Sequence, residues 1–251
     1  MNNPWLIRRP APGRSLRLYC FAYAGGGPAV YAPWQAALDP AIEVCAIQLP
    51  GRGARFGETP WRDMALLVAT IAEAIERDSP LPFAFFGHSL GALLAFEVAG
   101  YRQRRGWAAP VHLFASGCNA PQRRSPSLDL HLMEDAELIE SLREYNGSPP
   151  EVLANRELMT LLLPMVRADF LLAETYAYQA REPLDLPLSV LAGRHDEHTT
   201  AAQLEGWQLE SRQPCRIEWY EGDHFFLNQC REQVIEFVGA QLGLLTASCR
   251  A

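Results

Sequence analysis

Six short stretches of the chain are apolar almost without interruption: "LRLYCFAY" (16–23), "IEVCAIQL" (42–49), "PFAFFG" (82–87), "VHLFASG" (111–117), "PLSVLAG" (187–193) and "CRIEWY" (215–220). A strand with one face in water alternates apolar and polar residues. These do not, so both of their faces are expected to be covered, as in a parallel sheet with helices on either side. The stretches between them carry the helical period. Met64, Leu67, Val68, Ile71 and Ile75 step by three or four along 63–77 and mark one face of a helix. The segment from Leu90 to Ala99 is apolar nearly all round, which predicts a buried helix. Over 229–242, Cys230, Val234, Phe237, Val238 and Leu242 share a stripe. Alternation of this kind predicts an α/β protein with a mainly parallel central sheet flanked by helices.

One region breaks the alternation. Residues 118–186 hold no strand pattern. They open on a loop rich in Pro, Ser and Arg, "NAPQRRSPS", and continue with helical patterns over 135–145 and 155–178. Pro164 falls inside the second, where a missing N–H and a ring clash are expected to kink or divide the helix. The region reads as a helical insertion, packed like a lid over a single domain spanning 1–251. No internal repeat or low-complexity segment accompanies it.

Charge narrows the possible partners. The formal charge is −7, and all 22 basic residues are arginines without a dense cluster, which argues against nucleic acid. No run of about 18 apolar residues is present, so no membrane span is expected. The N-terminal "MNNPWLIRRPAPGRS" has no apolar stretch of signal-peptide length, so a cytoplasmic protein is expected, and separately a monomer. The six cysteines (Cys20, Cys45, Cys118, Cys215, Cys230, Cys249) are scattered without a C-x-x-C pair and read as buried reduced thiols. No cofactor and no metal are expected.

The candidate chemistry begins where the third strand meets the buried helix. Gly87-His88-Ser89-Leu90-Gly91 fits G-x-S-x-G in the strand–turn–helix setting that a nucleophile elbow requires. The turn brings the positions two before and two after the serine against neighbouring backbone, hence Gly87 and Gly91. The bland alternative is a serine that only caps the helix. A serine hydroxyl needs a base, and the base needs an orienting carboxylate. Later strands are followed by "RHDEHTT" and "EGDHFFL", so the order Ser89, Asp196, His224 is available. Glu197 and Asp223 are rivals to Asp196. His195, Asp196, Glu197 and His198 are adjacent metal-ligand types, but consecutive residues seldom surround an ion. His88 reads as elbow support, His112 as a core or edge residue, and His131 as exposed in the insertion. An oxyanion needs donors. The N–H of Leu90 is one, and the glycine-rich loop "FAYAGGG" (21–27) is the expected source of the other. That loop lacks G-x-G-x-x-G spacing, and the chain has no P-loop lysine, which argues against a phosphate cradle.

In these segments the chain resembles the type II thioesterases, stand-alone α/β-hydrolases that accompany nonribosomal peptide and polyketide synthases. The resemblance rests on "FAYAGGG", "PWQAAL", "VCAIQLPGR", "FFGHSLGALLAFE", "LFASGCNAP", "LLLPMVRADFLLAETY", "PLSVLAG..D" and "EGDHFFL", in the family's order over nearly the whole chain. It implies Ser89 as nucleophile, Asp196 as orienter, His224 as base, and the N–H groups of Ala24 and Leu90 as the oxyanion hole. Tyr23, where the family more often has His, and Glu197, where it often has Pro, depart from the pattern. The resemblance further implies removal of wrong or stalled acyl groups from the phosphopantetheine arm of carrier-protein domains. The whole chain is also similar to editing thioesterases of siderophore assembly of the pyochelin type. An ester hydrolase or acyltransferase would use the same triad. A carrier protein is usually acidic, so docking would call on a local basic patch. Arg102, Arg104, Arg105, Arg123 and Arg124 are placed for one, or are simply solvated.

Overall fold

The computed structural model describes residues 3–78, 81–124 and 127–248. Its frame is a sheet of seven strands: β1 (Leu6–Arg8), β2 (Leu16–Phe21), β3 (Ile42–Ile47), β4 (Phe83–His88), β5 (Leu113–Ser116), β6 (Leu188–Gly193) and β7 (Cys215–Tyr220). They are ordered β1-β3-β2-β4-β5-β6-β7, with β1 antiparallel to β3 and every other pair parallel. All six strands expected from the apolar runs are present. Every residue of β2, β3, β4, β5 and β6 is buried, whereas the edge strand β7 is only partly covered. β1 escaped the sequence reading because three residues after a Pro-containing start carry no period to detect.

The pleat divides β2 between two cores. Tyr19 and Phe21 face one, with Phe85, Leu67, Ile71 and Leu94. Leu18 and Cys20 face the other, with Trp34, Phe86, Val234 and Val238. The first core is covered by α2 (Met64–Glu76) and α3 (Leu90–Arg104), and the second by α1 (Trp34–Ala37) and α9 (Arg231–Ser248). Asp63 caps α2, its side chain accepting from the N–H of Leu66 at 3.0 Å. Arg102, expected at the surface, is instead 1% exposed. It donates to Glu76 at 2.7 Å and to the Ala72 carbonyl at 3.2 Å, fastening α3 to α2.

The stretch 118–186 holds α4 (Asp135–Tyr145), α5 (Pro150–Ala154) and α6 (Arg156–Glu174) and, among its described residues, no named strand. These helices enclose a third, smaller apolar cluster that includes Leu138, Leu142, Met159, Leu163, Val166 and Phe170. Of the two outcomes expected at Pro164, a kink or a division, α6 is not divided: it runs unbroken through the proline. The apolar stripe on both sides of it packs into the same cluster, and that continuous burial outweighs the lost hydrogen bond, a cost of about 3 kcal/mol. His131 is not exposed either. It is half-buried, with Nδ1 2.6 Å from a Glu174 carboxylate oxygen. The remaining short helices, α7 (Ala201–Leu204) and α8 (Phe226–Gln229), follow β6 and β7.

Cys20, Cys45 and Cys118 are buried free thiols; Cys215 and Cys230 are free and half-buried, and Cys249 lies outside the described residues. None of the described helices is long and apolar enough to cross a membrane.

Candidate active site

At the carboxyl end of β4 the chain turns sharply into α3. Ser89 sits at the turn with φ 55° and ψ −119°, a conformation that a non-glycine residue rarely adopts. Its N–H donates to the Ser116 carbonyl at 2.8 Å, tying the turn to β5. A Cβ on Gly87 would overlap the Gly91 carbonyl, and a Cβ on Gly91 would overlap the Phe21 carbonyl, so both places admit only glycine. The Ser89 side chain makes no capping hydrogen bond to α3, which removes the helix-cap alternative. The hydroxyl stands at the positive end of a 15-residue helix.

Two later loops meet this turn. His224, between β7 and α8, is 6% exposed, and its Nδ1 is 2.9 Å from Asp196 Oδ2. The other Asp196 oxygen accepts the backbone N–H of His198 at 2.9 Å. Burial alone would push the Asp196 carboxyl up. The hydrogen bond and charge of His224, with the His198 N–H, outweigh burial and hold it below the ordinary range. Of the rival carboxylates, Asp223 accepts from the N–H of Phe225 at 2.7 Å and from Asn146 at 3.0 Å, and Glu197 is exposed on the pocket rim. His195 points away towards Glu221, at 3.4 Å. Among the described residues no group of three or more His, Cys, Asp and Glu is arranged to hold a metal ion.

His88 lies beneath the site, fully buried, with Nδ1 2.9 Å from Ser116 Oγ and its ring 5.2 Å from that of His224. Burial, helped by the charge of His224, lowers its pKa to about 3, so it stays neutral and supports the turn. His112 is a core residue, hydrogen-bonded to Ser189 at 2.9 Å and stacked on Phe114, and burial lowers its pKa to about 4.

Ser89 and His224 both line a pocket of about 480 Å³, together with Ala24, Leu90, Arg124, Tyr145 and Phe170. A narrower crevice of about 30 Å³, walled by Tyr23, Leu142, Gly147 and Phe225, reaches the same serine. The backbone N–H groups of Ala24 and Leu90, both in residues on the pocket wall, have no hydrogen-bond acceptor among the described residues. A strained serine, a carboxylate-oriented imidazole and two uncommitted backbone donors suit acyl transfer through a covalent intermediate.

Several contributors were not foreseen from the sequence. Tyr145, at the end of α4, stacks on His198 at 4.1 Å between ring centroids, and His198 stands edge-on to His224 at 5.3 Å. Arg52 and Asp169 form a buried ion pair at 2.7 Å behind the glycine loop. The sequence signal for these was faint: Asp169 is a lone acid in an otherwise apolar helix stripe, and Tyr145 resembles any amphipathic helix end.

The sheet order, its flanking helices and the strand–serine–helix turn define an α/β-hydrolase fold. The model of the thioesterase domain family matches residues 16–242. The gramicidin S biosynthesis protein GrsT of Aneurinibacillus migulanus is 40% identical over 98% of this chain and 96% of its own length. Among solved structures, the type II thioesterase BorB from the borrelidin cluster superposes with a TM-score of 0.88 at 33% identity, covering 95% of this chain and 97% of BorB. YbtT, a type II thioesterase from the yersiniabactin pathway, gives 0.80 at 32% identity over 93% and 96% of the two chains. The chain belongs to the thioesterase family, among the type II thioesterases, and is a hydrolase of thioesters.

Proposed function

We propose that this thioesterase removes misprimed or stalled acyl groups from the phosphopantetheine thiol of carrier-protein domains in a nonribosomal peptide or polyketide assembly line, one that makes a siderophore. The partner class is supported by relatives that serve such pathways, and the siderophore context by the resemblance of the whole sequence. The observation that carries the chemistry is the 2.9 Å contact between His224 Nδ1 and Asp196, on the wall that also presents the strained Ser89.

His224 takes the proton of Ser89 as the hydroxyl oxygen attacks the thioester carbonyl. Asp196, ionised and buried, holds the imidazole in the tautomer that leaves Nε2 free, and stabilises the imidazolium. The N–H groups of Ala24 and Leu90 hold the oxyanion, each lowering the barrier by about 3 kcal/mol. The thiolate then departs as the acyl–serine ester forms. A thiol with a pKa near 8.5 leaves with little need of a proton. Water, giving its proton to His224, attacks the ester and releases the carboxylic acid and Ser89. Helices α4 to α6 act as a lid that shapes the pocket for the acyl group.

A panel of one acyl group on a carrier protein, on coenzyme A and on a simple alcohol tests the reading. The expected result is a clear preference in kcat/KM for the carrier-bound thioester. A preference for the alcohol ester would replace the proposal with the carboxylester-hydrolase reading.

A further inference from the structure

Asp169 is 2% exposed on α6, between the apolar residues Ala168 and Phe170. A carboxylate in such a place is costly unless its oxygens are fully engaged. Asp169 Oδ1 accepts from Arg52 Nη2 at 2.7 Å. Asp169 Oδ2 accepts from Arg52 Nη1 at 2.8 Å and from the backbone N–H of Gly25 at 2.8 Å. Arg52 Nη1 also donates to the Gly26 carbonyl at 2.7 Å. The pair therefore grips the glycine loop by an N–H and by a carbonyl.

Ala24 stands immediately before the gripped N–H. The peptide between Ala24 and Gly25 is planar, so fixing the Gly25 N–H fixes the Ala24 carbonyl with it. A hydrogen bond from the Gly26 N–H to the Tyr23 carbonyl, 2.9 Å, closes the turn on the other side. Gly25 has φ +78°, a conformation that a flexible glycine would leave readily without such restraint. The Ala24 N–H, on the pocket wall, has no hydrogen-bond acceptor among the described residues.

We infer that Arg52 and Asp169 are positioning residues for the oxyanion hole. The ion pair sets the direction of the Ala24 N–H, and helix α6 is thereby a fixed part of the catalytic frame rather than a moving part of the lid. The inference rests on the function proposed above and adds to it the origin of one oxyanion donor. Within the insertion, α6 is pinned to the glycine loop at Gly25 and through Arg52, whereas α4 reaches the catalytic loops only at its C-terminal end, through Tyr145 on His198 and Asn146 on Asp223.

The test uses the full chain and two readouts. The first is steady-state hydrolysis of an acyl-carrier thioester. The second is affinity for an alkyl trifluoromethyl ketone. Ser89 Oγ adds to the ketone carbon, its proton passes to His224, and the carbonyl electrons settle on oxygen as a hemiketal anion that needs the same donors. Removing one partner of a buried pair can unfold a protein, so the main variant replaces both, Arg52→Met with Asp169→Leu, which trades the ion pair for apolar packing. The expected result is a native melting temperature with kcat lower by about 100-fold, KM within twofold, and ketone affinity lower by a similar factor. Asp169→Asn keeps an oxygen for the Gly25 N–H and should fall by a smaller factor in both readouts. If the double variant does not fold, Asp169→Asn decides by the same pair of measurements. A folded variant with unchanged kcat and ketone affinity, or one in which only KM rises, overturns the inference. A wild-type chain that binds the ketone but hydrolyses no carrier thioester would refute the proposed function and leave the inference standing.

Discussion

Ser89 and its two glycines show how little freedom the reactive turn has. The serine is held at φ 55°, a strain of about 1–3 kcal/mol that the surrounding packing must sustain. Gly91→Ala would drive a methyl group into the Phe21 carbonyl, and the main chain there is pinned in the sheet. Such a variant is expected to lose about 3 kcal/mol of stability or fail to fold, read by denaturant titration. Asp196→Asn should fold normally yet lower kcat by about four orders of magnitude, because the amide favours the wrong imidazole tautomer. Wild-type kcat in that variant would transfer the orienting role to another group. These residues were legible in the sequence because their chemistry imposes rare types at fixed places: small–x–Ser–x–small after a strand, and His after the last strand. Asp169 and Arg52 were not, because their partners lie far along the chain and a lone charge carries no period.

Elements differ in what secures them. The strands β2 to β6 are buried along their whole length, and Phe86 packs edge-on against Trp34 at 4.7 Å. By contrast, α4 exposes most of its length and is held mainly by Leu138, Leu142 and the stack of Tyr145 on His198. Hydrogen-exchange mass spectrometry should find α4 and α5 losing protection first, and β2 to β6 last. Equal protection of α4 and β4 would contradict a mobile lid. The parallel strands could be read from sequence because double-sided burial leaves an unbroken apolar run. The antiparallel β1 could not, since three residues are too few for any pattern. Pro164 does not divide α6 for a physical reason: a local rule about one hydrogen bond competes with a helix face buried on both sides of the proline. The burial of Arg102 and the half-burial of His131 escaped notice because an arginine or histidine that finds a carboxylate looks in sequence like one that faces water.

At the scale of the whole molecule, acid should weaken the fold through its buried neutral histidines. His88 and His112 have native pKa values lowered from 6.5 to about 3 and about 4. Between those values and 6.5 the unfolded chain binds protons that the native chain refuses. Stability is therefore full above pH 6.5 and declines as pH falls towards 4. Each histidine contributes roughly 2 kcal/mol to the loss by pH 5. His112→Asn, which lies away from the reactive serine, should flatten the fall in melting temperature between pH 7 and pH 5. An unchanged slope would show that the ring is already charged in the native state. Charge also bears on the partner. Exposed Arg104 and Arg105 stand at the end of α3 roughly 20 Å from Ser89, whereas Arg123 adjoins the pocket residue Arg124. Arg123→Glu is expected to raise KM for an acidic acyl carrier several-fold at low salt, with Arg104→Glu close to wild type.

The measurement that bears most directly on the account is rapid-quench mass spectrometry of the protein mixed with an acyl-carrier substrate. A transient acyl adduct confined to the peptide that contains Ser89 is expected, formed at a rate compatible with turnover. In Ser89→Ala, folded to the same melting temperature, both the adduct and nearly all hydrolysis should be gone. Undiminished hydrolysis in that variant, or an adduct carried by a different residue, would contradict the account.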